Sequence, residues 1–545
     1  MTRFQRDEFL ANFSSVEYDV VVVGAGMTGA GVARDAASRD LRVALIDAGD
    51  IASGTSSKSS KMVHGGLRYL QQKEFRLSYE NLRERQRLLE NAPFLVRPLP
   101  FLIPLFGKDG TRSKALVRGY ATALRIYDLT GGWRIGACYR KLTRDETLTH
   151  LPTLQTQQLI AGFLYMDARG DGARVALTLA RTAALDYGAD VANYVRVVGF
   201  THGPDGRVTE VLCRDELRGT TLRLRTRTVV NASGVWADNI FNISEHTISH
   251  QIAPAKGANV TVPRHRLPTD VATVLTVPGD QRSIFVVPIE EAPYTFIGTT
   301  DTTFDGSFER PECSPGDVAY LLDAVNAWTS SDLTVADVTG LWAGLRPLLA
   351  PQHHEKLKAR TVDLSPHHRV SDSHDGVVHI TGGKWTTYRQ MAEDGVDVLK
   401  PYLAGLAPTR TKNLRLHGTS GWRPGGELET HLYQHFATDT HEMLRLVHEH
   451  PALSEPVIEE LPFIGAEFIY SARDKIATSL VDLLARRTRA HLHNARAALD
   501  TATKVARLVA PLLGWNEDEG ASQVATYEVL VTSEFAAADI TVERS

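Results

Sequence analysis

The chain has 545 residues, 43% of them hydrophobic, with 60 basic against 64 acidic side chains and a formal net charge of −4. That is room for about three domains at the usual ~150 residues each, and the balanced charge excludes bulk attraction to nucleic acid, so any affinity for an anionic surface must be local. Cys138, Cys213 and Cys313 stand far apart with no C-x-x-C; they offer neither a disulfide framework nor a metal site, and a reducing, cytoplasmic compartment and no metal are expected. The first fifteen residues, MTRFQRDEFLANFSS, lack the ~7–15-residue apolar core of a secretory signal, and no apolar run approaches the ~20 residues that span a bilayer. The sequence therefore predicts a protein that is soluble or lies on a membrane.

Tyr18 to Asp47 reads YDVVVVGAGMTGAGVARDAASRDLRVALID. Val20 to Val23 predict a strand buried on both faces, Gly24, Gly26 and Gly29 complete G-x-G-x-x-G, and Ala30, Ala33, Ala36 and Ala37 recur at helical spacing on a face small enough to pack on a sheet. A second apolar run, Val43 to Ile46, ends on Asp47, about 23 residues past Gly24, where a carboxylate accepts from an adenosine ribose. The glycines let the backbone turn and approach a pyrophosphate, and the helix N-terminus offers it unpaired N–H groups and partial positive charge.

Ser53 to Ser60 are small hydroxyl residues, poor in a helix interior but suited to a loop around a polar ligand, and His64, Arg68 and Tyr69 follow where the chain reaches the reactive end of such a ligand. Glu74 to Glu90 is helical in pattern. Pro93, Pro98, Pro100 and Pro104 punctuate an apolar stretch that predicts an edge strand or an excursion to another domain, and Thr111 to Asp128 returns to an amphipathic, basic helix. Met166 to Arg181 is read as a helix after a turn. A β-rich pair, Ala189 to Phe200 and Arg207 to Cys213, follows, and Thr221 to Val230 leads into the small-residue turn Asn231 to Trp236 as if returning to the first sheet. Between about 250 and 335, short strands at Asn259–Val262, Val271–Val277, Ser283–Ile289 and Thr295–Thr299 predict an antiparallel sheet. Val338 to Pro347 is read as carrying glycine turns. Val377 to Tyr388 is read as a strand that stops at Gly382-Gly383 and opens a helix at Lys384. Residues 403–427 are rich in Gly, Pro, Thr and Ser and predict a linker; Glu467 to Ala490 and Ala495 to Val509 predict a C-terminal helical domain without a chemical motif.

With these pieces in hand, the chain resembles the FAD-dependent glycerol-3-phosphate dehydrogenase family, closely over about residues 18–400 and loosely beyond. VVVGAGMTGAGVARDAA, SSKSSKMVHGGLRYL, VVNASGVWAD, KGANVTVP, IGTTD, GLRPL and HITGGKWTTYR carry the resemblance, in the family's order; Asn259 departs from it, at a position near the expected substrate entrance where relatives can carry histidine. The resemblance implies an α/β architecture. A discontinuous glutathione-reductase-like (Rossmann-type) FAD-binding domain would take residues 1–92, 160–250 and 336–402, an antiparallel-sheet substrate or cap domain 93–159 and 251–335, and a helical domain 428–545. It implies FAD contacts at Gly24, Gly26, Met27, Thr28, Gly29, Asp47 and Ala48, then at Ser53, Thr55, Ser56, Ser57, Ser59, Ser60, His64, Gly65 and Gly66. Further contacts are implied at Ala232, Gly234 and Trp236, and at Gly383, Lys384, Trp385 and Thr386.

The implied reaction is oxidation of sn-glycerol 3-phosphate to dihydroxyacetone phosphate. It needs a hydride acceptor, a base for the hydroxyl proton and cations for the phosphate; Arg68, Arg346 and Arg360 with Tyr69 and Lys384 are expected to bind substrate, and Lys384 or His64, with Arg346, to act at the reacting carbon. A quinone is the expected electron acceptor, which would place the protein peripherally on the cytoplasmic face of the membrane. The apolar 93–106 stretch followed by Lys108, Arg112, Lys114, Arg118 and Arg125 is one surface for that contact. A homodimer is also carried as an expectation. An oxygen-using glycerophosphate or related oxidase is the nearest competing reading, and a non-catalytic flavin-binding scaffold the competing class; the joint presence of His64, Arg68, Arg346 and Lys384 argues against the scaffold.

Overall fold

The computed structural model describes residues 4–66, 74–107, 114–245, 252–280, 282–350 and 368–542; Arg68, Tyr69, Lys108, Arg112 and Arg360 lie outside them. The strands, in chain order, are β1 Glu17–Val23, β2 Val43–Ile46, β3 Met62–Val63, β4 Val96–Phe106, β5 Arg140–Leu142, β6 Leu159–Gly170, β7 Asp190–Ala192, β8 Val195–His202 and β9 Val208–Asp215. They continue with β10 Thr221–Asn231, β11 Ile252–Pro263, β12 Ala272–Thr276, β13 Ser283–Pro288, β14 Tyr294–Gly298, β15 Thr302–Thr303, β16 Gly340–Leu349, β17 His368–Asp372 and β18 Val377–Gly382.

The first sheet runs β17-β18-β10-β1-β2-β7, with β9 and then β8 continuing from β10. Its five strands β18, β10, β1, β2 and β7 are parallel. The valines of β1 divide by period two: Val20 and Val22 pack with Ala30, Ala33 and Ala36 of the helix Met27–Ala37, while Val21 and Val23 pack with Phe13 and Leu224 on the other face. On the first face the helices Gly172–Leu185 and Tyr388–Asp397 complete the cover, and small side chains let them come close; a β-carbon on Gly31 would stand 2.6 Å from the Tyr388 ring. The return of the chain at Thr221 to β1, read from the sequence, is found as the parallel β1–β10 pair.

The second sheet runs β15-β11-β14-β13-β12-β4-β6-β3, with β16 on β11 and β5 on β6. It contains the antiparallel strands expected between 250 and 335. It also contains β3, β6 and β16, which the sequence boundaries place in the FAD-binding domain. β6 pairs with β4 along nearly its whole length, so Met166 to Gly170 is strand, and the helix begins at Gly172, where Asp171 accepts from the amides of Ala173 and Arg174. The glycines of Val338 to Pro347 mark no turns. They sit inside β16, where a β-carbon on Gly340 would stand 2.4 Å from the Leu492 oxygen and one on Gly344 2.7 Å from the Lys58 oxygen.

The prolines of the apolar stretch lie in β4 at positions 98, 100 and 104, an even spacing that puts every missing donor on one edge, so β6 can pair on the other. Phe101, Leu102 and Leu105 are buried in the sheet core, so the large apolar side chains of this stretch serve the core and are not presented to a membrane. The helix Lys114–Leu129 buries Leu124 and Tyr127 in the same core and leaves Arg118, Arg125, Ile126 and Leu129 exposed.

Residues 403–426 form an irregular stretch packed on the first domain. Thr409 and Thr411 donate to Asp35, Arg410 donates to the Ser38 oxygen, and the Leu414 oxygen accepts from Arg34. Beyond it come the helices Glu427–Phe436, Thr440–Glu449, Gly465–Asp474, Ala502–Leu513 and Glu517–Ala537 with shorter turns between. The predicted continuous helix from Glu467 to Ala490 breaks after Asp474 and resumes as a wide turn, Asp482–Arg487. That turn delivers Arg486 and Arg487 to buried Asp50 just past β2, at 2.6 and 2.7 Å. Burial would push the Asp50 carboxyl up, but Arg487 and Arg486 outweigh it and hold it at about 2. Asp50→Ala should lower stability by about 3–5 kcal/mol because it strands the buried Arg487 guanidinium and leaves Arg486 with Asp482 alone. An unchanged denaturation midpoint would show that this clamp contributes nothing.

Candidate active site

Four adjacent parallel strands release the chain at one edge of the first sheet: β2 at Asp47, β1 at Gly24, β10 at Ala232 and β18 at Gly383, and all four residues line one cavity of about 1150 Å³. Ligands of open α/β sheets bind at this carboxyl edge, and the volume exceeds the ~300–1,000 Å³ of ordinary small-molecule sites, leaving room for an extended dinucleotide beside a second molecule. Gly24 has φ +101°, and a β-carbon there would lie 2.7 Å from the Ala232 oxygen. At Gly29 a β-carbon would lie 1.7 Å from the Gly24 oxygen, so Gly29 seats the helix on the strand and does not itself line the cavity. Asp47 is fixed by the amides of Ala25 and Gly49, at 2.6 and 2.8 Å; burial nevertheless pushes its carboxyl up to about 6.

Ser53, Thr55, Ser56, Ser57, Ser59 and Ser60 line the cavity together with Met27, Thr28 and Ala48. The Met27 amide donates to Ser56 Oγ at 2.9 Å, and a β-carbon on Gly26 would stand 3.2 Å from that oxygen, so the hydroxyl loop lies directly over the helix N-terminus. Thr55 Oγ1 donates to the Leu345 oxygen at 2.5 Å, which ties the loop to β16. Gly234, Trp236, Trp385 and Thr386 also line the wall. Gly65 does not: its amide turns away to Tyr127 and Asp167, at 3.1 and 3.2 Å, while His64 and Gly66 on either side face inward.

His64, Lys384 and Arg346 all line the cavity, and His64 and Lys384 are near enough for the lysine charge to act on the imidazole. Lys384 follows the two glycines that end β18, Gly382 and Gly383, both at positive φ, and caps the short helix Trp385–Thr387. Burial pushes its ammonium down to about 7 against the opposing charge of Glu80. Burial also lowers the His64 imidazole, helped by Lys384 and Arg85 and opposed by Asp167. Arg346, on β16, donates to Asp301 at 2.8 Å and to the Thr300 oxygen at 3.2 Å. Gly257 leaves room for it, since a β-carbon there would be 2.8 Å from Arg346 Nη2. Asn259 is buried inside the second sheet rather than at an entrance.

Several lining residues were missed from the sequence. Asp301 comes from the IGTTD turn and Arg282 from the residue before β13, and the IGTTD motif was the signal for the first. Asp167 accepts from Arg85, Tyr127 and Gly65 beneath His64; it stands in the stretch misread as helix. The helical C-terminus supplies Arg486, Arg489, His491 and Glu534, and Arg489 donates to the Ser57 oxygen of the hydroxyl loop. The run Arg486-Arg487-Thr488-Arg489 was the available signal.

A strand-glycine-helix cradle with a terminal acid at the switch of a parallel sheet is the geometry of a dinucleotide-binding domain. The sequence model of the FAD dependent oxidoreductase family matches residues 19–389, and that of the C-terminal domain of alpha-glycerophosphate oxidase matches residues 409–520. The chain is 39% identical to glycerol-3-phosphate dehydrogenase 2 of Mycobacterium tuberculosis over 95% of this chain and 88% of the relative. It is 34% identical to the mitochondrial glycerol-3-phosphate dehydrogenase of Mus musculus over 92% and 71%. The crystal structure of glycerol-3-phosphate dehydrogenase from Bacillus halodurans, complexed with FAD, superposes with a TM-score of 0.78 at 28% identity, covering 97% of each chain. The chain belongs to the FAD-dependent glycerol-3-phosphate dehydrogenase family, and its cofactor is FAD.

The residues present fit that cofactor: glycine backbone and a helix N-terminus for the diphosphate, hydroxyls above it, and Asp47 for the ribose. If Asp47 accepts from the ribose as a carboxylate, then with its carboxyl pushed up to about 6 FAD affinity should be flat above that pH and fall below it, by up to about tenfold at pH 5. Fluorescence titration of the flavin-free protein reads this. Asp47→Asn should remove the pH dependence, and a wild-type affinity constant from pH 5 to 8 would contradict the assignment.

Proposed function

We propose that the chain oxidises sn-glycerol 3-phosphate to dihydroxyacetone phosphate and passes the two electrons to a quinone. The observation that carries this reading is that Lys384, His64 and Arg346 line the same cavity as the dinucleotide cradle. FAD, when bound, supplies the hydride acceptor. Arg346, held by Asp301, and with it Arg68 and Arg360, take the phosphate, for which planar guanidinium forks are suited. Tyr69 adds a neutral donor. Lys384 takes the hydroxyl proton: at about 7 its amine is half deprotonated at neutral pH, which matches a general base to its working pH. His64, held neutral by burial, lines the same wall and orients the hydroxyl.

Anaerobic addition of glycerol 3-phosphate should bleach the flavin, and glycerol or an amino acid should not; a quinone analogue should reoxidise it faster than oxygen does. Rapid reoxidation by oxygen without stimulation by quinone would favour the oxidase. A base must lose its proton before it acts, so the rate of flavin reduction at saturating substrate should rise with pH through about 7. A limb well below 6.5 would assign the proton to His64 instead. Arg346→Met should reduce kcat/KM more than roughly tenfold, the equivalent of a lost charge-assisted contact of ~1.5–3 kcal/mol.

A quinone acceptor brings the protein to a membrane surface. Among the described residues no helix is long and apolar enough to cross one. The exposed face of the helix Lys114–Leu129, with Leu129 81% exposed beside Ile126, Arg118 and Arg125, supports a peripheral contact. Co-sedimentation with anionic vesicles should weaken with salt and weaken further in Arg118→Gln/Arg125→Gln; binding indifferent to both would rule this face out.

A further inference from the structure

The C-terminal helices carry a cluster that the flavin chemistry leaves unused. His431 and His435 stand four residues apart on the helix Glu427–Phe436 and so share one face, and Glu467 comes from the first turn of the helix Gly465–Asp474. One ligand atom from each of the three lies within 4.8 Å of the others. His431 Nε2 is 3.0 Å from Glu467 Oε2, and His435 Nδ1 is 3.6 Å from Glu467 Oε1. Tetrahedral zinc, with bonds of about 2.0–2.2 Å, sets its ligand atoms roughly 3.4 Å apart, so the three need only small side-chain movements to close on an ion.

Two further observations point the same way. His435 is 5% exposed, and its Nδ1 makes no hydrogen bond although it faces the Glu467 carboxylate. Its other ring nitrogen, Nε2, is bound to Glu291 on the β13–β14 connection. A carboxylate behind one nitrogen of a histidine fixes the ring and the tautomer and leaves the other nitrogen as the ligand. Glu291 is itself held by Arg174, at 3.2 Å, from the helix Gly172–Leu185.

We propose that His431 Nε2, His435 Nδ1 and Glu467 Oε1 bind one divalent transition-metal ion of the zinc class, with water in the fourth position. The ion would be structural. It would join two C-terminal helices to each other and, through Glu291 and Arg174, to the second sheet and the FAD-binding domain. Histidine pairs with a carboxylate suit zinc and its neighbours and not magnesium, which prefers oxygen donors and six-fold geometry.

The test uses flavin-loaded protein treated with a chelator, gel-filtered, and then titrated with zinc or magnesium against a chromophoric zinc chelator, with retained metal counted by mass spectrometry. The wild type should retain one zinc per chain, bind no magnesium, and gain thermal stability with zinc. His431→Gln, at the least buried of the three ligands, should lose the stoichiometric zinc and the thermal gain. Glu291→Gln, which touches no ion, should keep the stoichiometry but bind about 10–100-fold more weakly. Flavin content in both variants checks that they are folded. Substoichiometric zinc in the wild type, or the same stoichiometry and affinity in His431→Gln as in the wild type, would overturn the site.

Discussion

One backbone contact sets the geometry on which the rest depends. The first turn of the helix Met27–Ala37 sits so close to the end of β1 that no side chain fits at Gly29. Gly24 has to turn at positive φ to make that approach. The helix axis is thereby aimed at the carboxyl edge of the sheet, where its unpaired amides and partial positive charge meet the ends of β2, β10 and β18. Asp47, Ala232 and Gly383 can contribute to one cavity because β2 and β10 flank β1 and β18 follows β10 in the same parallel array.

The second sheet completes the site through absences of side chain as much as through reactive groups. Gly344 lets the backbone at Lys58 lie against β16, and Gly257, opposite it in register on β11, leaves space for the Arg346 guanidinium. A methyl group at either position would push the hydroxyl loop or the arginine out of place. The C-terminal domain then locks the assembly from outside: Arg486 and Arg487 hold Asp50, and Arg489 holds both Asp171 and the hydroxyl loop. Arg489 does so at φ +73°, a conformation that costs a non-glycine residue energy and persists because the contacts around it fix it.

Periodicity and glycine spacing made the first sheet legible in advance. The β1–helix–β2 unit, the return at β10, and the stop of β18 at two glycines all appear where local pattern put them, because a strand buried on both faces and a glycine turn are local signals. What depended on distant partners was misread. Met166 to Gly170 looked like a helix start, but its place is decided by pairing with β4, some seventy residues earlier in the chain. The glycines of β16 looked like turns because sequence cannot distinguish a glycine that bends from one that another backbone crosses. His64, Arg346 and Lys384, to which we assign the reaction, were legible as types. Asp301, Asp167 and the arginines after Val481 were not, since each acts by reaching a group far off in sequence.

The charges around the reactive end divide by how firmly they hold their protons. A phosphate dianion needs cations that stay charged while the rest of the substrate changes, and a guanidinium does so throughout the working pH range. Asp301 holds the Arg346 guanidinium at 2.8 Å, which is the fixed orientation the proposed phosphate contact needs. The proton to be moved needs the opposite property. Burial gives it to Lys384 by making the charged ammonium expensive, and the charge of Glu80 offsets only part of that cost. In the proposed reaction, Arg346 stays charged because a guanidinium always does, while burial lets Lys384 exchange its proton near neutrality.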